Sequence, residues 1–182
     1  MEKTEYEARI LNINLPNFIS KLESLGAIKE DDYNYQRYVY GFNPKVYEKW
    51  IRLRTNGKKT TLTIKELKDY SISGTKEKEI IVSDFEMTNE ILKELGYIPE
   101  SYQENKRTRY HLDGVEIDLD SWPLIPPYVE IEGNSEEEVI QTAEKLGYSK
   151  EDLVSLDVEN IFRQYYHIEI ANMPILKFEE KV

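Results

Sequence analysis

The chain has 182 residues, 24 Lys and Arg against 35 Asp and Glu, a formal net charge of −11 and a pI near 4.8. Hydrophobic residues at 40% and 14 tyrosines demand a folded core, while the acidity excludes broad electrostatic capture of nucleic acid or an anionic membrane. With no Cys and only His111 and His167, disulfides, thiolate nucleophiles and Cys- or His-rich metal sites are excluded too.

There is no 18-residue apolar run and no apolar leader, so a cytoplasmic protein without signal peptide or membrane span is expected. Phosphate-loop and dinucleotide glycine patterns, a His-Glu-x-x-His helix and a Gly-x-Ser-x-Gly elbow are all missing.

The chain opens on alternation: in Glu5-Tyr6-Glu7-Ala8-Arg9-Ile10 the charges hold the odd positions, the period of a strand with two chemically different faces. A helix from Pro16 to Leu25 follows, with Phe18, Ile19, Leu22 and Leu25 on one side. Strand alternation then returns around Arg37 in the Tyr-rich segment 33–42, at Arg52 and Arg54, and at Thr61, Thr63 and Lys65. Glu77 and Glu79 form the next charged face, followed by a helix from Asn89 to Leu95. Three more strands carry Arg107 and Arg109, then Glu116, Asp118 and Asp120, then Glu130 and Glu132.

A third helix, Glu136 to Leu146, starts with Ser135 and Glu138 in capping-box spacing, and all three helices end in Leu-Gly, at Gly26, Gly96 and Gly147. Asp157 is expected to cap a fourth helix running to about Tyr166, with 171–182 a tail behind a single domain over 1–170. At an offset of 70 the chain matches itself at nine of the 34 positions from Glu7 to Tyr40, including Glu7/Glu77, Gly26/Gly96 and Arg37/Arg107, which suggests a duplicated strand-helix-strand unit.

Eight strands with one charged face each allow two architectures. One is an open antiparallel sheet with a solvated face of cross-strand ion pairs. The other closes the sheet with its charges inward and its apolar face outward under the helices. Charges so confined are costly unless bridged, and the natural bridge is a polyanion with a divalent metal: arginines grip phosphate oxygens and carboxylates hold a hard cation.

Glu5-x-Glu7-x-Arg9 resembles the N-terminal Glu-x-Glu-x-Lys signature of the CYTH superfamily, the triphosphate tunnel metalloenzymes. The ordered pairs that follow are similar to that family over residues 1–147: Arg52-x-Arg54, Lys65, Glu77-x-Glu79, Arg107-x-Arg109, Asp118-x-Asp120 and Glu130-x-Glu132. The resemblance implies an α+β protein: an eight-stranded antiparallel closed β-barrel, a tunnel open at both ends with a charged lumen and helices packed outside. It implies Mg²⁺ or Mn²⁺ and a triphosphate-containing small molecule as substrate, whether tripolyphosphate, a nucleoside triphosphate or thiamine triphosphate.

By matched position, Arg37, Arg52, Arg54, Lys65, Arg107 and Arg109 would hold phosphates. Glu79, Asp118, Asp120, Glu130 and Glu132 would hold metal, and Glu5 or Glu7 would accept a proton. Arg9 replaces the signature Lys; a guanidinium stays charged, so Arg9 is expected as a phosphate clamp rather than a base. Glu77 and Glu116 are expected to pair with Lys or Arg.

The activity expected is phosphohydrolysis, with orthophosphate released even from tripolyphosphate, because every assigned residue contacts phosphate or metal. The alternatives are a class IV adenylate cyclase and a non-catalytic polyphosphate or nucleotide binder. The protein is expected as a monomer or homodimer that binds neither nucleic acid nor membrane. Tyr33, Tyr35, Tyr38 and Tyr40 are assigned to outer packing rather than to stacking a purine at a tunnel mouth. His111 could reach the lumen end, and the fourth helix is expected to pack on the barrel rather than plug it.

Overall fold

A computed structural model describes residues 2–179. Its elements in chain order are β1 (Lys3–Ile10), α1 (Leu15–Ser24), β2 (Ile28–Gly41), β3 (Lys49–Thr55), β4 (Thr60–Leu67), β5 (Thr75–Val82), α2 (Phe85–Glu94), β6 (Ser101–Leu112), β7 (Val115–Ser121), β8 (Tyr128–Gly133), α3 (Glu136–Leu146), α4 (Val158–Tyr166) and β9 (Ile175–Leu176). The strands run antiparallel in the order β2-β3-β4-β5-β1-β8-β7-β6, and pairing of β2 with β6 closes the sheet into a barrel. Only the two-residue β9, added in parallel to β6 beside Tyr102, stands outside that ring.

The offset of 70 reappears in the two seams. In the β2/β6 seam Tyr35 faces Asn105, and in the β1/β5 seam Glu5 faces Thr75, residues 105 − 35 = 70 and 75 − 5 = 70 apart. Each seam therefore pairs a strand with its own repeat across a pseudo-twofold axis, as the duplication requires.

The apolar faces point outward, where they form three cores under helices. Ala8, Ile10, Ile117, Val129 and Ile131 pack beneath Phe18 and Leu22 of α1 and Val139, Ala143 and Leu146 of α3. Tyr40, Ile51 and Leu53 lie beneath Leu92 of α2, with Tyr38 stacked on Phe85 at 5.1 Å. Each such buried aliphatic or aromatic side chain contributes about 1.5–3 kcal/mol, so the barrel is held from outside and its interior is left free for polar chemistry.

The helix ends follow their local signals. Gly26, Gly96 and Gly147 all adopt positive φ after their helices. α2 begins at Phe85, four residues before the expected Asn89, because the Asp84 side chain accepts the Met87 amide and caps it there. Ser135 caps α3 by accepting the Glu138 amide, but the Glu138 carboxylate turns to the Asn134 amide at 2.8 Å rather than closing a capping box.

The C-terminal region departs from expectation in two ways. α4 does not lie on the flank of the barrel: Ile161 and Phe162 pack on Trp122 and Tyr128, which stand where β7 ends and β8 begins, so α4 covers that side of one tunnel mouth. Of the expected tail 171–182, whose residues 180–182 lie outside the described residues, Leu176 joins Ile170 in the same core, and Ser101 Oγ donates to the Met173 carbonyl. The physical reason is that Leu176 and Ile170 supply the apolar cover that the β6–β7–β8 end otherwise lacks. No described helix is long and apolar enough to cross a membrane.

Candidate active site

The lumen is a cavity of about 940 Å³. Strand parity brings the expected residues into it: Glu5, Glu7, Arg9, Arg37, Arg52, Arg54, Lys65, Glu79, Arg107, Arg109, Asp120, Glu130 and Glu132 all line the space. Asp118 shares their face but is buried behind Arg107 and Arg109.

These residues divide into two walls. On β2 and β3, Arg37 stands opposite Arg54, with Arg52 one inward position away. Among the described residues no carboxylate lies within ion-pairing distance of Arg37 or Arg54; Arg52 meets Glu79 at 3.5 Å. Arg37 instead donates to Asn105 Oδ1 and lies 4.6 Å from the Trp122 ring, while Arg54 lies 4.5 Å from the Tyr35 ring. Burial, together with repulsion from Arg54 and Arg52, pushes Arg37 well below the usual guanidinium range; burial and Arg52 push Arg54 down to about 10. The buried Nε atoms of Arg37 and Arg52 have no hydrogen-bond partner.

The wall formed by β6, β7, β8 and β1 is the reverse. Arg107 donates to Asp118 at 2.5 Å, to Asp120 at 2.7 and 2.5 Å, and to Glu130 at 2.9 Å. Arg109 pairs with Asp118 and with Glu116, both at 2.7 Å. Arg9, expected as a phosphate clamp, has its guanidinium taken up by Glu7 at 2.9 Å, Glu130 at 2.6 Å and the Leu156 carbonyl at 2.7 Å, tying β1 to the segment that leads into α4. Burial would lower Arg107 and raise Glu130, but Asp120, Glu130 and Asp118 hold Arg107 well above its usual range, and Arg9 with Arg107 drives Glu130 strongly down.

Lys65 binds both oxygens of Glu5, at 2.9 and 2.7 Å, and approaches Glu77 at 3.8 Å. Burial would raise the Glu5 carboxyl, yet Lys65 holds it below its ordinary value; burial and Glu5 push Glu77 up to about 7.

The expected metal ligands do not gather at one point, and no group of three or more carboxylate or imidazole side chains closes around a cation position among the described residues. Glu79 stands apart on β5, accepting from Thr63 at 2.8 Å. A different grouping emerges from register: Glu7, Glu132 and Glu116 lie side by side across β1, β8 and β7. Like charges directly opposite repel, and burial pushes Glu7 and Glu116 upward. The row offers oxygens of the hard type that suits a divalent cation, although they are not drawn together around one position and each is ion-paired, with Arg9, Lys3 and Arg109 respectively.

Two tyrosines were misassigned. Tyr38 and Tyr40 pack outside as expected, but Tyr33 and Tyr35 line the lumen. Both share the odd parity of Arg37, which was the available signal. His111 stays near the rim, its Nε2 at 2.5 Å from Glu30 Oε2.

A closed antiparallel tunnel with a lumen of arginines and carboxylates defines the class to which the comparisons point. The CYTH domain model matches residues 3–156, and the chain belongs to that family, which includes triphosphatases and adenylyl cyclases that use divalent metal ions. The PH1012 protein of Pyrococcus horikoshii OT3 is 25% identical with a TM-score of 0.73, covering 84% of this chain and 96% of its own. A conserved hypothetical protein of Pyrococcus furiosus is 26% identical with a TM-score of 0.74, covering 85% and 98%. A Hippeastrum protein proposed as an adenylyl cyclase, and described as having a dominant triphosphatase activity, shares the fold at 16% identity with a TM-score of 0.60, covering 91% and 96%. No protein of curated function matches the sequence.

Proposed function

We propose that the protein is a metal-dependent phosphohydrolase that binds a triphosphate inside the tunnel and cleaves a phosphoryl bond. The observation that carries this reading is the trio Arg37, Arg52 and Arg54: one buried and two half-buried guanidiniums of which only Arg52 meets a carboxylate, Glu79, facing a wall rich in carboxylates. Such a trio is stable only as a receptor for an anion of several charges, because each cation left unpaired in a desolvated site raises the energy of its neighbours.

In this reading Arg37, Arg52 and Arg54 grip the phosphate chain, with Lys65 at its flank. Arg107, Arg109 and Arg9 shape the opposite wall by pairing with its carboxylates. Mg²⁺ or Mn²⁺ would be held by Glu132 and Glu130 with Asp118 and Asp120, Glu7 and Glu116 extending the row; when bound, the ion supplies neutralisation of phosphate charge and acidifies water. Glu7 is the proton acceptor, because it lines the lumen with only one oxygen taken by Arg9 and burial pushes its carboxyl upward, whereas Lys65 takes both oxygens of Glu5. Phosphoryl transfer needs this positioning and charge balance more than it needs a covalent nucleophile.

A panel of tripolyphosphate and ATP with Mg²⁺ and with Mn²⁺, reading orthophosphate and cyclic AMP together, tests the assignment. Orthophosphate from tripolyphosphate is the expected result. Cyclic AMP and pyrophosphate from ATP, with tripolyphosphate inert, would replace the hydrolase by a cyclase; binding of both without turnover would leave a binding module.

A further inference from the structure

β2 carries Tyr33, Tyr35 and Arg37 on its lumen face in a single line. The rings of Tyr33 and Tyr35 are stacked, with centroids 5.7 Å apart and planes at 26°, and the Arg54 guanidinium covers the other face of the pair at 4.5 Å from Tyr35. The result is a layered column, guanidinium on ring on ring, that starts at the phosphate-binding arginines and runs toward the mouth that α4 leaves uncovered. Tyr33 is fixed in place: its hydroxyl donates to Glu30 Oε1 at 2.5 Å, and Glu30 also holds His111 of the neighbouring strand. Its ring is half-buried, so one surface of the column stays open to the lumen.

We propose that Tyr33 and Tyr35 form a stacking platform for a flat aromatic ring joined to the triphosphate, which makes a nucleoside triphosphate, rather than bare polyphosphate, the preferred substrate class. The inference rests on the triphosphate reading given above and adds to it the part of the substrate that no arginine recognises. Three features support it. A strand advances about 3.3 Å per residue, so roughly 13 Å separate the levels of Arg37 and Tyr33, the reach of a phosphate chain plus a sugar. The cavity of about 940 Å³ lies at the upper end of the range for whole organic ligands and is far larger than a phosphate chain needs. Ring stacking gains from a desolvated π-face without demanding a particular base edge, which suits a column whose only polar anchor is the distant hydroxyl of Tyr33. The other mouth carries Tyr47, which is 81% exposed, and Trp50, which lines the cavity but belongs to no layered column, stacking on no ring among the described residues.

The test compares kcat/KM for ATP, CTP and thiamine triphosphate, each divided by the value for tripolyphosphate, in the parent, Tyr33→Ala, Tyr35→Ala and Tyr33→Phe. Melting curves confirm that the variants fold, and calorimetric titration with the non-hydrolysable analogue AMP-PNP supplies a binding readout. The expected result is a ratio for ATP or CTP that falls about tenfold or more in the alanine variants and is retained in Tyr33→Phe, with AMP-PNP affinity following it, whereas a fall confined to thiamine triphosphate overturns the nucleoside assignment. Which substrate responds identifies the ring. Ratios that stay constant in all variants, including the case in which every substrate slows alike, overturn the platform while leaving the triphosphatase intact. A parent that neither binds nor cleaves tripolyphosphate and ATP overturns the triphosphate reading itself. Trp50→Ala should leave the ratios alone; a drop there would move the ring to the opposite mouth and also overturn the assignment.

Discussion

Arg37 and Arg107 occupy equivalent positions in the two halves of the chain, yet their surroundings are opposites. Arg107 is held by Asp118, Asp120 and Glu130, whereas Arg37 has only a neutral amide, Asn105, and the face of Trp122. The duplicated framework thus keeps an inward arginine at both places and assigns them different work by changing the strands beside them. β7 and β8 bring carboxylates to Arg107; β3 brings Arg54 to Arg37. A saturated guanidinium belongs to the wall, and an unsaturated one belongs to whatever enters.

The largest effects should come from the wall nearest the carboxylate row. Glu130→Gln and Glu132→Gln are both expected to abolish turnover at subsaturating metal, but only Glu130→Gln should lower the melting temperature as well, because Glu130 alone bridges Arg9 and Arg107. Near-parental turnover in both would remove β8 from the metal assignment.

Removing Arg107 by substitution to Gln leaves three buried carboxylates without their common partner. A loss of about 3–5 kcal/mol in the unliganded protein is expected from urea unfolding. A loss under about 1 kcal/mol would show that the wall is not locked.

Arg37→Gln should behave in the opposite sense. It removes a repelled charge, so the unliganded protein is expected to unfold at the same or a higher urea concentration, while tripolyphosphate binding by calorimetry weakens about tenfold or more. Arg52→Lys and Arg54→Lys should raise KM by a similar factor, since a point charge replaces a two-pronged grip. Unchanged affinity in all three would place these arginines outside the binding surface.

The smallest effect concerns Glu77. Its carboxyl lies near 7 in the folded protein, above its ordinary value, so its favourable contribution is complete under acidic conditions and is lost as pH rises through 7. Glu77→Gln should therefore melt higher than the parent at pH 8 and alongside it at pH 5. Equal gains at both pH values would assign the effect to packing.

Much of this arrangement was legible from the sequence because period-two alternation states which residues share a face. It placed Glu5 with Glu7 and Arg107 with Arg109, but it could not say whether that face points in or out, since an open sheet has the same pattern. The resemblance of the ordered set of charged pairs to the CYTH family, and not any single strand, pointed to closure. Tyr33 and Tyr35 are hidden among four tyrosines at strand spacing, a pattern shared with outer packing; the switch from odd to even between Tyr35 and Tyr38 divides them between lumen and outer core. The state of Arg9 was beyond local reading, because its carbonyl partner, Leu156, is 147 residues away and Glu130, which joins Glu7 on its guanidinium, sits on β8, far along the chain. The role of 170–176 was hidden in the same way, since a two-residue strand leaves no periodic signature.

The two seams of the barrel are unequal. β2 and β6 are zipped along eleven paired residues, while β1 and β5 meet over only three, Lys3 to Glu5 against Thr75 to Glu77. Few cross-strand bonds mean a low free energy for local opening, so amide hydrogens along the shorter seam should exchange with deuterated water well before those of the longer one. Glu5, Glu77 and, by way of Glu5, Lys65 all sit at that seam. Faster exchange there would mark the shorter seam as the place where the charged lumen opens first, with the longer seam keeping the cylinder intact.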